Sequence, residues 1–216
     1  ELEYTFDVEE RPESVSFDKF LAYETYVYAA YSAMSTDGKT ITICYAYNIE
    51  SGEAKEIFSE NESIAAFYHD MMYTAAYGQD SVTYSKSKLD GSEKEEIKTF
   101  PVPARLLSDG QQLYLSTAKI STDDSEHSET IIILDDEMNQ TGSFVLPHCN
   151  PGDFCPQSPD GFILRDTDKN GDEYFYFADK REITDGEALP CTKLCPCNWL
   201  NADKAKSDRA DDGIIG

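Results

Sequence analysis

The chain has 216 residues, 40% of them hydrophobic and 12% aromatic, enough apolar surface for a folded core. Its 18 Lys and Arg stand against 42 Asp and Glu, and the net charge of −24 repels phosphate backbones and anionic lipid heads. That balance argues against nucleic acid and membrane surfaces as partners, and no apolar run reaches the roughly 18 residues of a membrane-spanning helix.

Residues 1–18 are acidic, broken by Pro12, and read as an extended N-terminal arm. The opening ELEYTFDVEERPES carries neither an initiator Met nor a leader, as in a mature or trimmed chain whose export signal has been removed. Together with six cysteines, this places the protein outside the cell, in the periplasm or on the cell surface.

Residues 19–195 repeat one plan: an aromatic-rich strand, a turn, an alternating strand, then a Gly- or Asp-marked turn. In the first unit Ile41, Ile43 and Tyr45 alternate with Thr40, Thr42 and Cys44, the period of a strand, and Ser51-Gly52 turns into a short outer strand, AKEIFSE. The second unit runs from Ser63 to about Pro103; the stretch SENESIAAFYHDMM across its start has some helical periodicity, but its place in the repeat predicts a strand, and Asp90-Gly91 then marks a hairpin. The third unit turns at Asp109-Gly110 and carries a polar insertion, STDDSEHSE, between its middle strands. The fourth turns at Asp160-Gly161, Asn170-Gly171 and Asp185-Gly186. Residues 196–216 leave the pattern as a polar tail.

The second strand of each unit begins near Tyr26, Met71, Gln112 and Gly161, so the repeats are 41 to 49 residues apart. An all-strand period in the forties is the mark of radially repeated antiparallel sheets. The expected fold is all-β and propeller-like, with about four four-stranded blades; a twisted β-sandwich is the alternative. The segments Lys88-Leu89-Asp90-Gly91-Ser92, Asp109-Gly110-Gln111-Gln112-Leu113-Tyr114 and Asp160-Gly161-Phe162-Ile163 resemble the blade motifs of an uncharacterised bacterial family of exported β-propellers with a TolB-like repeat plan. The resemblance implies an exported binding or scaffold module and brings no catalytic residues with it.

Cys44 lies mid-strand, whereas Cys149, Cys155, Cys191, Cys195 and Cys197 crowd the last third. Zinc is one reading, with His148 beside them, but the spacings lack paired C-x2-C knuckles, and disulfides are preferred. Were all six oxidised, one late cysteine would have to reach Cys44 and clasp the first unit to the last; a buried free thiol at Cys44 is the alternative.

Asp166, Asp168, Asn170 and Asp172 match the opening of a calcium loop, alternate oxygen ligands around a Gly-permitted bend. The competing and preferred reading is a plain hairpin at Asn170-Gly171, because Phe177 stands where the bidentate Glu should be. No cofactor beyond calcium is implied. His69, His127 and His148 sit in unrelated contexts, and no nucleophile elbow, zincin pair or phosphate loop occurs. Tyr26, Tyr28, Tyr73, Tyr114, Tyr174 and Tyr176 read as core residues rather than sugar platforms.

The sequence therefore predicts an exported, non-catalytic module that binds a protein or carbohydrate. A secreted carbohydrate-active hydrolase using Asp or Glu, and a structural domain of a larger surface protein, are the alternatives.

Overall fold

A computed structural model describes residues 14–34, 40–60, 62–117, 128–149, 153–156, 158–167 and 172–197. The insertion around His127 and the tail beyond 197 lie outside the described residues. Strands dominate, and no helix among the described residues is long and apolar enough to cross a membrane.

The chain divides into two compact units, residues 1–102 and 103–216. The first holds two four-stranded antiparallel sheets in simple sequence order: β1 (Ser14–Tyr23), β2 (Tyr26–Met34), β3 (Thr40–Asn48) and β4 (Ala54–Glu60), then β5 (Glu62–Tyr68), β6 (Met71–Tyr77), β7 (Ser81–Lys88) and β8 (Glu95–Pro101). The second holds β9 (Arg105–Ser108), β10 (Leu113–Ser116), β11 (Ser128–Leu134) and β12 (Gln140–Pro147), then a three-stranded sheet of β13 (Gly161–Thr167), β14 (Glu173–Asp179) and β15 (Cys191–Pro196). Among the described residues each sheet is a meander in sequence order, the blade plan, with none of the crossing between sheets that a sandwich requires. The second strands start at Tyr26, Met71, Leu113 and Gly161, within one residue of the repeat in every unit. In the fourth sheet residues 153–156, where the repeat asks for a first strand, form none. Strand β1 also runs across the boundary drawn at residue 18.

Local chemistry explains the turns. His69 and Asp70, both at positive φ (48° and 57°), make the two-residue β5–β6 hairpin, whose twist matches that of the strands it joins. At the β3–β4 turn Asn48 Oδ1 accepts the backbone N–H of Glu50 (2.9 Å) and Ser51 (3.1 Å), an Asx turn. Gly91 adopts φ +75°, and a Cβ there would lie 2.7 Å from Ile57 of β4, so the second sheet's hairpin packs directly on the first sheet.

The first unit's core gathers Tyr28, Cys44, Ala46, Phe58, Ile64 and Met72 between its two sheets. Tyr28, fully buried, donates its hydroxyl to the Leu89 carbonyl at 2.9 Å, and so ties β2 to the end of β7. The second unit centres on Phe162, whose ring lies 5.2 Å from Phe154, 5.7 Å from Phe144 and 5.9 Å from Tyr114. Burying one such ring stabilises the fold by about 1.5–3 kcal/mol. Residues 185–189 run parallel to β12, with Val145 N–H donating to the Glu187 carbonyl and Leu189 N–H to the Val145 carbonyl, which stitches the third sheet to the fourth.

Candidate functional site

Two regions hold the chemistry: a set of buried acids in the second unit and an open aromatic face in the first. Of the predicted calcium ligands, Asp168 and Asn170 lie outside the described residues. Asp172 is exposed just before β14, whereas Asp166 is buried on β13. Its Oδ2 lies 2.9 Å from His148 Nδ1, and its Oδ1 accepts the Thr167 backbone N–H at 2.8 Å. The His148 ring lies flat on Tyr176, centroids 3.9 Å apart and 5° from parallel, and its backbone has a positive φ of 60°. The imidazole that the sequence offered to zinc thus has a carboxylate partner.

The neighbouring residue points elsewhere. Cys149 Sγ lies 3.6 Å from Oε2 of Glu129, a buried carboxylate on β11, and Ser116 Oγ of β10 donates to the other oxygen. Burial, and then the Glu129 charge, push the Cys149 thiol well above its ordinary pKa, so it is a protonated donor and not a nucleophile. Adjacent residues thereby send their side chains to two separate acids, and no Cys–His dyad forms between them.

A third acid, Asp109, comes from the DGQQLY motif. Its Oδ1 accepts the backbone N–H groups of Gln111 and Gln112, each at 2.8 Å, and its Oδ2 accepts the Tyr114 hydroxyl at 3.0 Å. Lys180, just after β14, closes an ion pair on the same Oδ2 with side chains only 11% and 2% exposed, and donates to the Ser158 carbonyl. The ammonium also stands 4.9 Å from the Phe162 ring centroid and 5.6 Å from that of Tyr114, a cation–π seat. Burial alone would raise the Asp109 pKa; Lys180 and the backbone donors outweigh it and hold the carboxyl below its usual range.

Each of these three acids therefore has a partner inside the fold. A glycosidase needs two carboxylates open to one cleft, and these three are committed to structure. Among the described residues no group of three His, Cys, Asp or Glu is arranged to hold a metal.

All six cysteines are thiols, which corrects the expected disulfide framework and its clasp. Cys44 sits fully buried at the centre of the first unit's core, where its thiol is pushed up to about 12 by burial. The tyrosines behave as expected: Tyr28, Tyr73, Tyr114 and Tyr176 are buried, and Tyr26 and Tyr174 half-buried.

Sequence reasoning missed the other face of the first sheet. A bulge at Asp18 shifts the β1–β2 register, pairing Phe17 with Tyr31 and Phe20 with Ala29 on the side away from the core. Phe17 is 56% exposed and Phe20 62% exposed. Their rings cluster, Phe17 lying 5.4 Å from Tyr31 and 6.4 Å from Phe20. Two phenylalanines close to an acidic segment, three residues apart, were the available signal; the bulge that puts them on one face was not.

No protein-family model matches the sequence, and no curated protein matches it. Its fold is similar to acylaminoacyl peptidase from Pyrococcus horikoshii in an orthorhombic crystal form, with TM-score 0.58, 11% identity, 85% of this chain covered and 33% of that one. It is equally similar to acylaminoacyl peptidase in complex with Z-Gly-Gly-Phe-chloromethyl ketone, with TM-score 0.59, 11% identity, and coverage of 84% and 32%. TolB from Acinetobacter baumannii superposes less closely, with TM-score 0.47, 14% identity, and coverage of 80% and 41%. Such identities speak to the fold alone. The chain spans about a third of the length of the peptidase chains. With the consecutive meander sheets, the likeness supports an all-β, propeller-like architecture.

Proposed function

We infer that this chain is a non-catalytic interaction module that docks a protein partner on the aromatic face of its first sheet. The observation that carries the reading is the cluster of Phe17, Phe20 and Tyr31, with both phenylalanines more than half exposed. Apolar rings gathered on one sheet face, rather than scattered singly, mark an association surface. Among the described residues strand β1 is also the edge of its sheet, the position at which another strand adds. The buried acids of the second unit support the same reading from the other side, because their engagement in the fold leaves recognition to the surface.

Charge selects the partner. At a net charge of −24 a second copy of this chain is repelled, while a basic protein is drawn in by the same field. The test places a photo-crosslinking phenylalanine analogue at position 20 in the native cell. A discrete protein adduct, absent when the analogue is placed at exposed Asp80 of the β6–β7 turn, is the expected result. Equal adducts at both positions, or none, would refute the reading.

A further inference from the structure

The opposite face of that same sheet carries a cavity of about 240 Å³, open to solvent on one side and contained within the first unit. Its floor is one cross-strand row, Lys19 of β1, Ala30 of β2, Cys44 of β3 and Phe58 of β4, each residue the register partner of the next. Two small residues at the middle of a row otherwise filled by long side chains leave the hollow, and Ile64 of β5 walls it from the second sheet. A closed apolar cavity of about 150 Å³ takes up benzene, so this one has room for a single ring with a short polar head. Apolar walls with few polar groups are the usual make-up of a small-molecule site.

Two charged residues line the cavity, and they differ in commitment. Glu62 is held by Lys94, whose ammonium donates to both carboxylate oxygens, at 2.7 Å and 2.5 Å. Lys19 makes only a long contact of 3.5 Å to the Ile64 carbonyl and has no carboxylate partner among the described residues. A cation with no carboxylate partner among the described residues, beside an apolar hollow, suits an anion. The neighbouring thiol adds no chemistry of its own, since burial keeps Cys44 protonated, and the Tyr28 hydroxyl is already given to Leu89.

We propose that this cavity binds a small monocarboxylate with an apolar body of one aromatic ring or a short alkyl chain, the body on Leu21, Ala30 and Phe58, with Cys44 sealed beneath them, and the carboxylate on Lys19. This goes beyond the docking role: it uses the inner face of the sheet, whereas Phe17 and Phe20 lie on the outer one.

The experiment is titration of the full chain with benzoate and hexanoate, followed by NMR chemical shifts, with benzyl alcohol and benzylamine as charge controls. Both carboxylates should bind saturably, benzoate about ten-fold tighter than benzyl alcohol, with shifts confined to residues of β1–β5. Lys19→Met, a change at an exposed side chain that keeps the fold, should abolish the ten-fold advantage and leave benzyl alcohol binding unchanged. Ala30→Phe should fill the hollow and remove both, its melting curve reporting that the sheet is intact. Absence of saturable binding, equal binding of benzoate and benzyl alcohol, or a Lys19→Met variant that binds benzoate as before would each overturn the proposal. The crosslinking result at position 20 is independent of all of these outcomes.

Discussion

The ion pair between Asp109 and Lys180 gives the sharpest energetic prediction. Asp109→Ala removes the acceptor for a nearly buried ammonium, the acceptor for two backbone N–H groups and the partner of the Tyr114 hydroxyl. Breaking a buried pair from one side costs about 3–5 kcal/mol, because the remaining charge stays desolvated. At about 4 °C per kcal/mol for a unit of this size, Tm should fall by about 12–20 °C. Lys180→Met is milder, about 1–3 kcal/mol, since the Asp109 carboxylate keeps its backbone donors and Tyr114. The double variant Asp109→Ala/Lys180→Met leaves no orphan charge and should fall at least about 1 kcal/mol short of the sum of its singles. Urea unfolding of the four proteins, followed by tyrosine fluorescence, supplies the cycle. Additivity within about 0.5 kcal/mol would mean that the two residues do not act as a pair and would refute the reasoning.

Three further expectations can be measured on the same material. Gly161→Ala would place a methyl within 2.6 Å of the Ala178 carbonyl oxygen and against the Phe177 ring, so it should lower stability by about 1–3 kcal/mol in thermal melts. Native-state alkylation at pH 7.5 should label exposed Cys155 and Cys195, while buried Cys44 and Cys149 react only in urea; a Cys44-containing bridge in a non-reducing peptide map would contradict the thiol assignment. Acid should destabilise the fold. Asp109, despite its burial, and Asp90, through the Ser92 hydroxyl, are both held below the ordinary carboxylate pKa. Their contribution is complete above about pH 5 and fades as pH falls through the folded-state values, below the unfolded value of about 3.9. Urea midpoints measured from pH 7 to pH 3 should decline more gently in Asp109→Asn than in the parent.

The repeat was legible because alternation and turn chemistry are local. Tyr26, Met71 and Gly161 open their strands where the spacing puts them, and Ile64 to Tyr68 lie in a strand although their pattern also suited a helix. What required coordinates was pairing at a distance. Asp109 and Lys180 are 71 residues apart, and nothing in DGQQLY says which lysine its acid will meet. Asp166 fits a calcium-loop pattern in the sequence, but its carboxylate meets the imidazole of His148, 18 residues earlier. Counting the cysteines assumes that they can reach one another, whereas Cys44 is fully buried at the centre of the first unit's core. The β1 bulge, which turns two phenylalanines onto one face, leaves no mark in composition or period.

The docking role rests on the openness of that face in the isolated chain and its coverage in the cell. Hydroxyl-radical footprinting, read by mass spectrometry on the peptide spanning Phe17 to Tyr31, compares the two states directly. Heavy oxidation of Phe17, Phe20 and Tyr31 in the purified protein, with strong protection in the native cell and unchanged labelling of Tyr77, is the predicted result. Equal oxidation of the three rings in both states would contradict it.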